Sequence, residues 1–169
     1  MDFQEQIRQL SATVKILPLL LDNIPVLQAR WKPLPDKWSL LEVLNHMLDE
    51  EVRDFRNRLD LTLHHPGKEW PAIDPVQWAS TNRYNDRDLQ QSLVSFTQER
   101  DKSVAWLKDL IKPDWEKTYN HSKFGPIRAG DLMVSWVAHD QIHLRQMINL
   151  KIMYLEKTSE PYSTSYALP

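Results

Sequence analysis

The last apolar stretch of the sequence contains two histidines, His139 and His143, four residues apart. Residues at positions i and i+4 lie one above the other on a helix, so two imidazoles at this spacing can reach the same metal ion. Zinc helices of the H-E-x-x-H type use the same spacing, with the glutamate as general base. Here Asp140 follows the first histidine; its side chain is shorter and is expected to point to the flank, so we reject this motif. The alternative to a metal site is a pair of buried structural histidines, each hydrogen-bonded to a polar partner.

A metal site needs a third ligand, and only His46 among the other histidines falls on a predicted helix. The helical wheel places His46 near the back of that helix's apolar stripe, closest to Val43 and Glu50. Periodicity alone therefore favours a solvated surface histidine. If His46 does join the other two, we expect the site to lie in an open groove between the predicted second and fourth helices, at the edge of the core.

Three further residues are candidates for the surroundings of the site. Trp136 and Gln146 lie on the same helical face as the histidine pair, at about 100° per residue. Arg100 falls on the inner stripe of the predicted third helix, where arginine is seldom buried without a partner. It either forms an ion pair with Asp49, Glu50 or Glu51, or presents its guanidinium to an anionic ligand.

Apolar periodicity predicts four helices, over about residues 3–17, 39–61, 86–112 and 129–153. The second helix opens with Ser39 and Glu42 in a capping box. No segment shows strand alternation, so we predict an all-α fold. About 24 residues separate the second and third helices, far more than the 2–8 that join antiparallel neighbours. These two helices are therefore predicted to run parallel, joined by a crossover.

The overall composition limits the classes of function. The chain has 169 residues and a formal net charge of −2, which gives no reason to expect nucleic acid or an anionic membrane as partner. It contains no cysteine, so a metal site must use His, Asp or Glu. No signal peptide is visible, and the apolar run at 16–21 is too short to span a bilayer. We expect a cytoplasmic protein with one domain over residues 1–155 and a polar tail over 156–169.

Several segments together resemble the DinB/YfiT-like superfamily, in its DinB-like branch. They are residues 38–47 (WSLLEVLNHM), 72–75 (AIDP) with Trp78, 96–100 (FTQER), 124–126 (FGP) and 136–146 (WVAHDQIHLRQ). The resemblance implies a four-helix bundle in up-down-down-up order. It also implies a divalent metal, commonly zinc or nickel, held by His46, His139 and His143. The sequence departs from the pattern at 128–130 (RAG), where relatives more often have a Ser or Thr cap, which puts the start of the fourth helix in doubt.

The resemblance also suggests an activity. The superfamily includes S-transferases and isomerases that use small thiols such as bacillithiol or mycothiol, and homodimers are common in it. Our first hypothesis is a metal-dependent enzyme acting on a small molecule with such a thiol. In it Glu42 or Glu50 orients His46, and Arg100 orients an anionic substrate. Metal-assisted hydrolysis is the alternative reaction.

A hypothesis of another class is a non-catalytic, stress-related binding or dimerisation module, with the metal structural or absent. The coordination sphere distinguishes the two classes, because catalytic sites keep a position open whereas structural sites are closed by protein ligands. A fourth protein ligand would therefore favour the module, and an open triad would favour the enzyme.

Overall fold

The bundle is built from helices whose apolar stripes face one another. A computed structural model describes residues 3–167. Its helices are α1 (Phe3–Leu20), α2 (Val26–Arg30), α3 (Leu40–Glu50), α4 (Arg56–His64), α5 (Pro75–Thr81), α6 (Leu89–Asp109) and α7 (Ala129–Thr158). A π-helical segment, Glu51–Phe55, joins α3 to α4, and a 3-10 turn, Tyr84–Asp86, precedes α6. Two short strands, β1 (Thr118–His121) and β2 (Gly125–Arg128), form an antiparallel hairpin before α7.

Helices α1 and α7 run parallel, although they lie at opposite ends of the chain. The Thr13 hydroxyl donates to Asp140 at 2.8 Å, and the Lys151 ammonium donates to the carbonyl of Leu20 at 2.7 Å. Residue numbers thus rise together along the two helices. Gly130 lets α7 begin close to α1, because a Cβ there would lie 3.0 Å from the Phe3 ring.

Helices α3 and α4, with the π-helical segment between them, form one rod over residues 40–64. This α3–α4 rod and α6 also run parallel to each other. Asn45 donates to the Ser92 hydroxyl at 3.0 Å, and further along Arg56 donates to the Ser103 hydroxyl at 3.2 Å. Against α7 the rod is antiparallel, since residue 46 meets residue 143 whereas residue 51 meets residue 136. The order is therefore up-down-down-up, and the predicted all-α four-helix bundle with a crossover is confirmed.

The crossover contains structure that its sequence pattern did not predict. Pro75 occupies the first turn of α5, and the Asp74 carboxylate caps that helix by accepting from the backbone of Gln77. The buried Tyr84 donates its hydroxyl proton to Asp49 on α3. The linker is therefore fastened to α3 and covers a face that an isolated rod would expose.

The hairpin was also not predicted, because two four-residue strands are too short for alternation to be recognised. Trp70 stacks on Tyr119 of β1 with ring centroids 4.1 Å apart, which joins the hairpin to the crossover. The start of α7 at Ala129 agrees with the prediction, and Asp131 accepts the backbone N–H of Arg128 at 2.9 Å in place of a Ser or Thr cap. The helix continues to Thr158, past the predicted end at residue 153.

Two apolar clusters form the core, with a polar layer between them. One contains the Ile7–Leu10, Phe55–Leu63, Val104–Leu107 and Ala129–Val137 regions, and the other the Leu17–Leu21, Leu40–Met47, Leu89–Phe96 and Met147–Leu150 regions. The sequence positions between these regions hold a set of buried polar residues: Thr13, Glu50, Glu51, Arg100, Asp140 and His143. None of the helices within residues 3–167 has the length and apolar character needed to cross a membrane.

Candidate metal centre

Three imidazoles meet at one edge of the polar layer. His46 comes from α3, and His139 and His143 come from successive turns of α7. Their Nε2 atoms form a triangle in which all three separations are 3.1 Å. The antiparallel contact between α3 and α7 thus supplies the third nitrogen that the pair on α7 lacks.

The size of the triangle fits a single divalent ion. Nitrogen ligands lie about 2.0–2.1 Å from zinc, which separates two of them by about 2.9 Å at a right angle and about 3.4 Å at the tetrahedral angle. The observed 3.1 Å lies between these limits. When each neutral imidazole carries its single N–H on Nδ1, the three Nε2 lone pairs point to one place. A cation satisfies these lone pairs together.

Burial keeps the imidazoles in the neutral form that binds metal. It lowers the pKa of His46 to about 3, with the neighbouring His143 adding to the effect. Burial also lowers the pKa of His139 to about 2, again with a contribution from His143. The pKa of His143 is lowered by burial too, although its bond to Gln146 opposes the change. Their lone pairs are therefore free for coordination at neutral pH.

Two of the candidate neighbours contact the outer nitrogens of the triad. Gln146 places its side-chain oxygen 2.7 Å from Nδ1 of His143, so the ring proton lies on Nδ1 and the lone pair on Nε2. The Glu50 carboxyl has an oxygen 3.9 Å from Nδ1 of His46, and both atoms are buried without a hydrogen bond. Burial, assisted by contact with Asp54, raises the pKa of Glu50 to about 8.

Glu42, the other candidate to orient His46, is engaged elsewhere. Its carboxylate accepts the backbone N–H of Ser39 at 2.8 Å, which completes the capping box of α3, and it pairs with Lys32 at 2.9 Å. Of the two glutamates proposed from the sequence, the structure places only Glu50 beside His46.

Arg100 lies in the polar layer and has no donor left for a ligand. It forms ion pairs with Glu51 and Asp140, and it donates to the backbone carbonyl of Leu10. Of the two alternatives given for Arg100, the structure shows the ion pair and not a guanidinium free for an anionic ligand. Glu51 is one of the three partners expected from the sequence. Asp140 differs from the expectation that it points to the flank of the helix: it is only 3% exposed. Trp136 donates its indole N–H to Glu51 at 2.9 Å.

The triad is more enclosed than the expected open groove. His46 is 5% exposed and His143 9%, whereas His139 is half-buried. The helical wheel misplaced His46 because it assumes one solvated face. Helices α2, α5, α6 and α7 all pack against α3, so every residue from Leu40 to Met47 is buried. Of the three rings, that of His139 is the most exposed to solvent.

Two aromatic rings border the triad and were not identified from the sequence as site residues. Trp38 lies 4.6 Å from the His46 ring, and Phe55 lies 5.0 Å from the His139 ring, centroid to centroid. Within residues 3–167, the triad is the one cluster of three or more His, Asp or Glu side chains arranged to hold a metal, and it has no fourth member.

Comparisons with known proteins identify the family of this chain. The sequence matches the DinB superfamily over residues 9–147. A protein of Oceanobacillus iheyensis named "Putative metal-dependent hydrolase" is 28% identical over 118 residues, which are 67% of this chain and 64% of that protein. The fold is similar to that of YfiT from Bacillus subtilis, described as "a probable metal-dependent hydrolase with an unusual four-helix bundle topology". That match has a TM-score of 0.78 and 17% identity, and it covers 88% of this chain and 85% of YfiT. This chain belongs to the DinB superfamily.

Proposed function

We propose that this protein is a metal-dependent enzyme whose divalent ion, zinc or nickel, is held by His46, His139 and His143. The observation that carries the proposal is the triangle of Nε2 atoms 3.1 Å apart with no fourth protein ligand among residues 3–167. Structural zinc sites are closed by four protein ligands, whereas catalytic sites use three and leave a position for solvent or substrate. The open triad therefore favours an enzyme over a non-catalytic module.

Hydrolysis is the reaction that the relatives support, since both are named as metal-dependent hydrolases. A divalent ion in such a site lowers the pKa of a bound water or thiol, so that a nucleophile forms near neutral pH. The chain's own residues prepare the site for this. Gln146 holds the proton of His143 on Nδ1, and the rings of Trp38 and Phe55 shield the triad from solvent. The half-buried His139 marks the side from which a substrate enters.

Transfer of a small thiol to an electrophile is the second candidate, and the positions of the nearby carboxylates favour it. Glu51 and Asp140 are both held by Arg100, and Glu50 faces the outer nitrogen of His46. None of these three carboxylates lies beside the Nε2 atoms of the triad, where it could act as a general base. A thiol has a pKa near 8.5 and loses its proton far more readily than water, so it has less need of such a base.

Metal content tests the first part of this proposal. The protein is purified without an affinity tag, and zinc and nickel are measured before and after each metal is added. We expect about one equivalent in the wild type and a large loss in His143→Ala. The matched control is His64→Ala, which removes an exposed histidine beside Asp60. Less than about a tenth of an equivalent in the wild type after metal addition would refute the proposal.

The reaction class is tested on the metal-loaded protein. One set of assays contains activated esters and amides, and another contains electrophiles with small thiols. Acceleration that needs the thiol supports transfer, and acceleration without it supports hydrolysis. In both cases the rate must fall in His143→Ala and stay unchanged in His64→Ala; equal rates in all three proteins would show that the triad is not the catalyst.

A further inference from the structure

Arg100 makes an unusually complete set of contacts at the centre of the polar layer. Its Nε donates to Glu51 at 2.9 Å, and one terminal nitrogen lies 2.8 Å from the second oxygen of that carboxylate. The two terminal nitrogens donate to the two oxygens of Asp140 at 2.5 and 2.9 Å. The last N–H reaches the carbonyl of Leu10 at 3.0 Å. Arg100 thus donates four hydrogen bonds, one of them to backbone, and its remaining contact is the ion-pair contact with the second oxygen of Glu51.

The two carboxylates are satisfied from their other sides as well. Thr13 donates to Asp140 at 2.8 Å, and the indole of Trp136 donates to Glu51 at 2.9 Å. The network thus contains residues of α1, the π-helical segment, α6 and α7, which means all four rods of the bundle. Its three charged members are each at most 3% exposed.

Stability alone is a poor explanation for this network. Burying one cation and two anions carries a large desolvation penalty, and replacing such clusters by well-packed hydrophobic residues of similar volume is often neutral or stabilising. What bidentate pairs supply is a fixed relative orientation of the elements that carry them. The network therefore has its main effect on how the four rods are placed relative to one another.

The same residues lead directly to the metal ligands. Asp140 follows His139 along α7. Trp136, bound to Glu51, stacks on Phe55 with ring centroids 5.6 Å apart and planes 8° from parallel, and Phe55 contacts the His139 ring. Fixing Asp140 and Trp136 thus fixes the rotation of α7 on both sides of His139.

The π-helical segment provides an independent observation. It begins at Glu51 and ends at Phe55, and both of these residues belong to the path just described. Such segments account for well under 1% of residues and are frequently found at functional sites. Glu50 and Glu51 are consecutive and both are buried, yet Glu50 faces His46 whereas Glu51 faces Arg100. The segment thus joins the third ligand to the Arg100 network.

We propose that Arg100, Glu51 and Asp140 are the positioning residues of the metal centre. They set the rotation and rise of α7 against α3, and so hold the two histidines of α7 opposite His46. This inference rests on metal binding by the triad. It adds that the triangle of nitrogens depends on three charged residues that donate nothing to the metal.

The test removes the charges and keeps the acceptors. In the variant Arg100→Met/Glu51→Gln/Asp140→Asn, the amide oxygens still accept from Trp136 and Thr13. We expect it to melt below the wild type, because the new amide N–H groups and the carbonyl of Leu10 lose their partners, so binding is compared at a temperature at which both proteins are folded. Its affinity for Co²⁺ should fall about 10- to 100-fold, the usual effect of losing an outer-shell partner. The visible absorption bands of bound Co²⁺ should also shift, because they report the arrangement of ligands and not the net charge nearby.

Two further proteins make the outcome decisive. The control is Arg56→Met/Glu99→Gln, which removes a partly exposed ion pair between α4 and α6. This control should keep the wild-type Co²⁺ affinity and spectrum. If the triple variant does not fold, Arg100→Lys keeps the charge but cannot form the two bidentate pairs. A triple variant with the wild-type Co²⁺ affinity and spectrum would overturn the positioning role. If the triple variant does not fold, the same result in Arg100→Lys would overturn it. Failure of the wild type to bind Co²⁺, Zn²⁺ or Ni²⁺ would instead overturn the proposed function.

Discussion

Replacing His139 with glutamine removes one nitrogen from the triad and leaves an uncharged polar side chain at the same place on α7. In the wild type, the three Nε2 atoms already lie 3.1 Å apart, so binding of an ion requires little rearrangement of the ligands. The unfolded chain has no such triangle, because His46 and His143 are 97 residues apart. Zinc should therefore stabilise the folded state selectively.

The size of this stabilisation follows from mass action. A ligand that binds only the folded state at 100 times its Kd contributes about 2.7 kcal/mol. For a chain of 169 residues, each kcal/mol raises the melting temperature by about 2–4 °C, so the expected shift is about 5–11 °C. If the loss of one ligand weakens binding about 100-fold, the same zinc concentration equals the Kd of His139→Gln. The contribution then falls to about 0.4 kcal/mol, or about 1 °C.

Scanning calorimetry with and without zinc measures this difference. The control is His65→Gln, which removes an exposed histidine 3.6 Å from Asp60 and should keep the full shift. A zinc-induced shift in His139→Gln equal to that of the wild type would show that the triad does not bind the ion. A small shift in the variant and a full shift in the control are the results that the geometry requires.

Three other perturbations have defined outcomes. Burial lowers the pKa of His46 to about 3 and that of His139 to about 2, whereas the unfolded chain binds these protons near pH 6.5, so each of the two removes about 2 kcal/mol of stability from the metal-free protein between pH 7 and pH 5. Glu50, whose pKa burial raises to about 8, takes up its proton on folding and restores about 2.5 kcal/mol over the same range, which leaves a net loss of about 1 kcal/mol. Urea unfolding at the two pH values measures this, and equal stabilities would contradict it. Gln146→Leu removes the acceptor on Nδ1 of His143 and should weaken zinc binding about 10- to 100-fold in chelator competition, with unchanged affinity as the contrary result. Ser39→Ala removes the side-chain bond to the backbone of Glu42 and should cost about 0.5–2 kcal/mol in calorimetry without altering metal affinity; an unchanged melting temperature would show that the cap is not stabilising.

The features that could be predicted from the sequence depend on local spacing. His139 and His143 share a helical face because they are four residues apart, and Ser39 with Glu42 marks a helix start whatever surrounds it. The parallel course of the predicted second and third helices followed from the length of the linker between them. Local rules therefore sufficed for the bundle and for two of the three nitrogens.

The features that could not be predicted depend on packing between distant segments. From periodicity alone His46 looked like a surface residue, and only the resemblance named it as a ligand, because nothing in the periodicity of α3 shows that the crossover covers its other side. The pairing of Arg100 with Asp140 joins residues 40 positions apart, and Asp140 alone appeared to point away from the core. The π-helical segment has no recognised sequence signal, although it decides where Glu51 points.

The up-down-down-up order also has a consequence for how the chain folds. Thr13 and Asp140, which bond in adjacent parallel helices, are separated by 127 residues, whereas consecutive antiparallel helices would be joined by short loops. Bundles dominated by local contacts fold fastest, and long-range contacts slow the search because the loop must close first. We therefore expect this protein to fold more slowly than an up-and-down bundle of equal length. Its first and last helices must meet before the polar layer is complete.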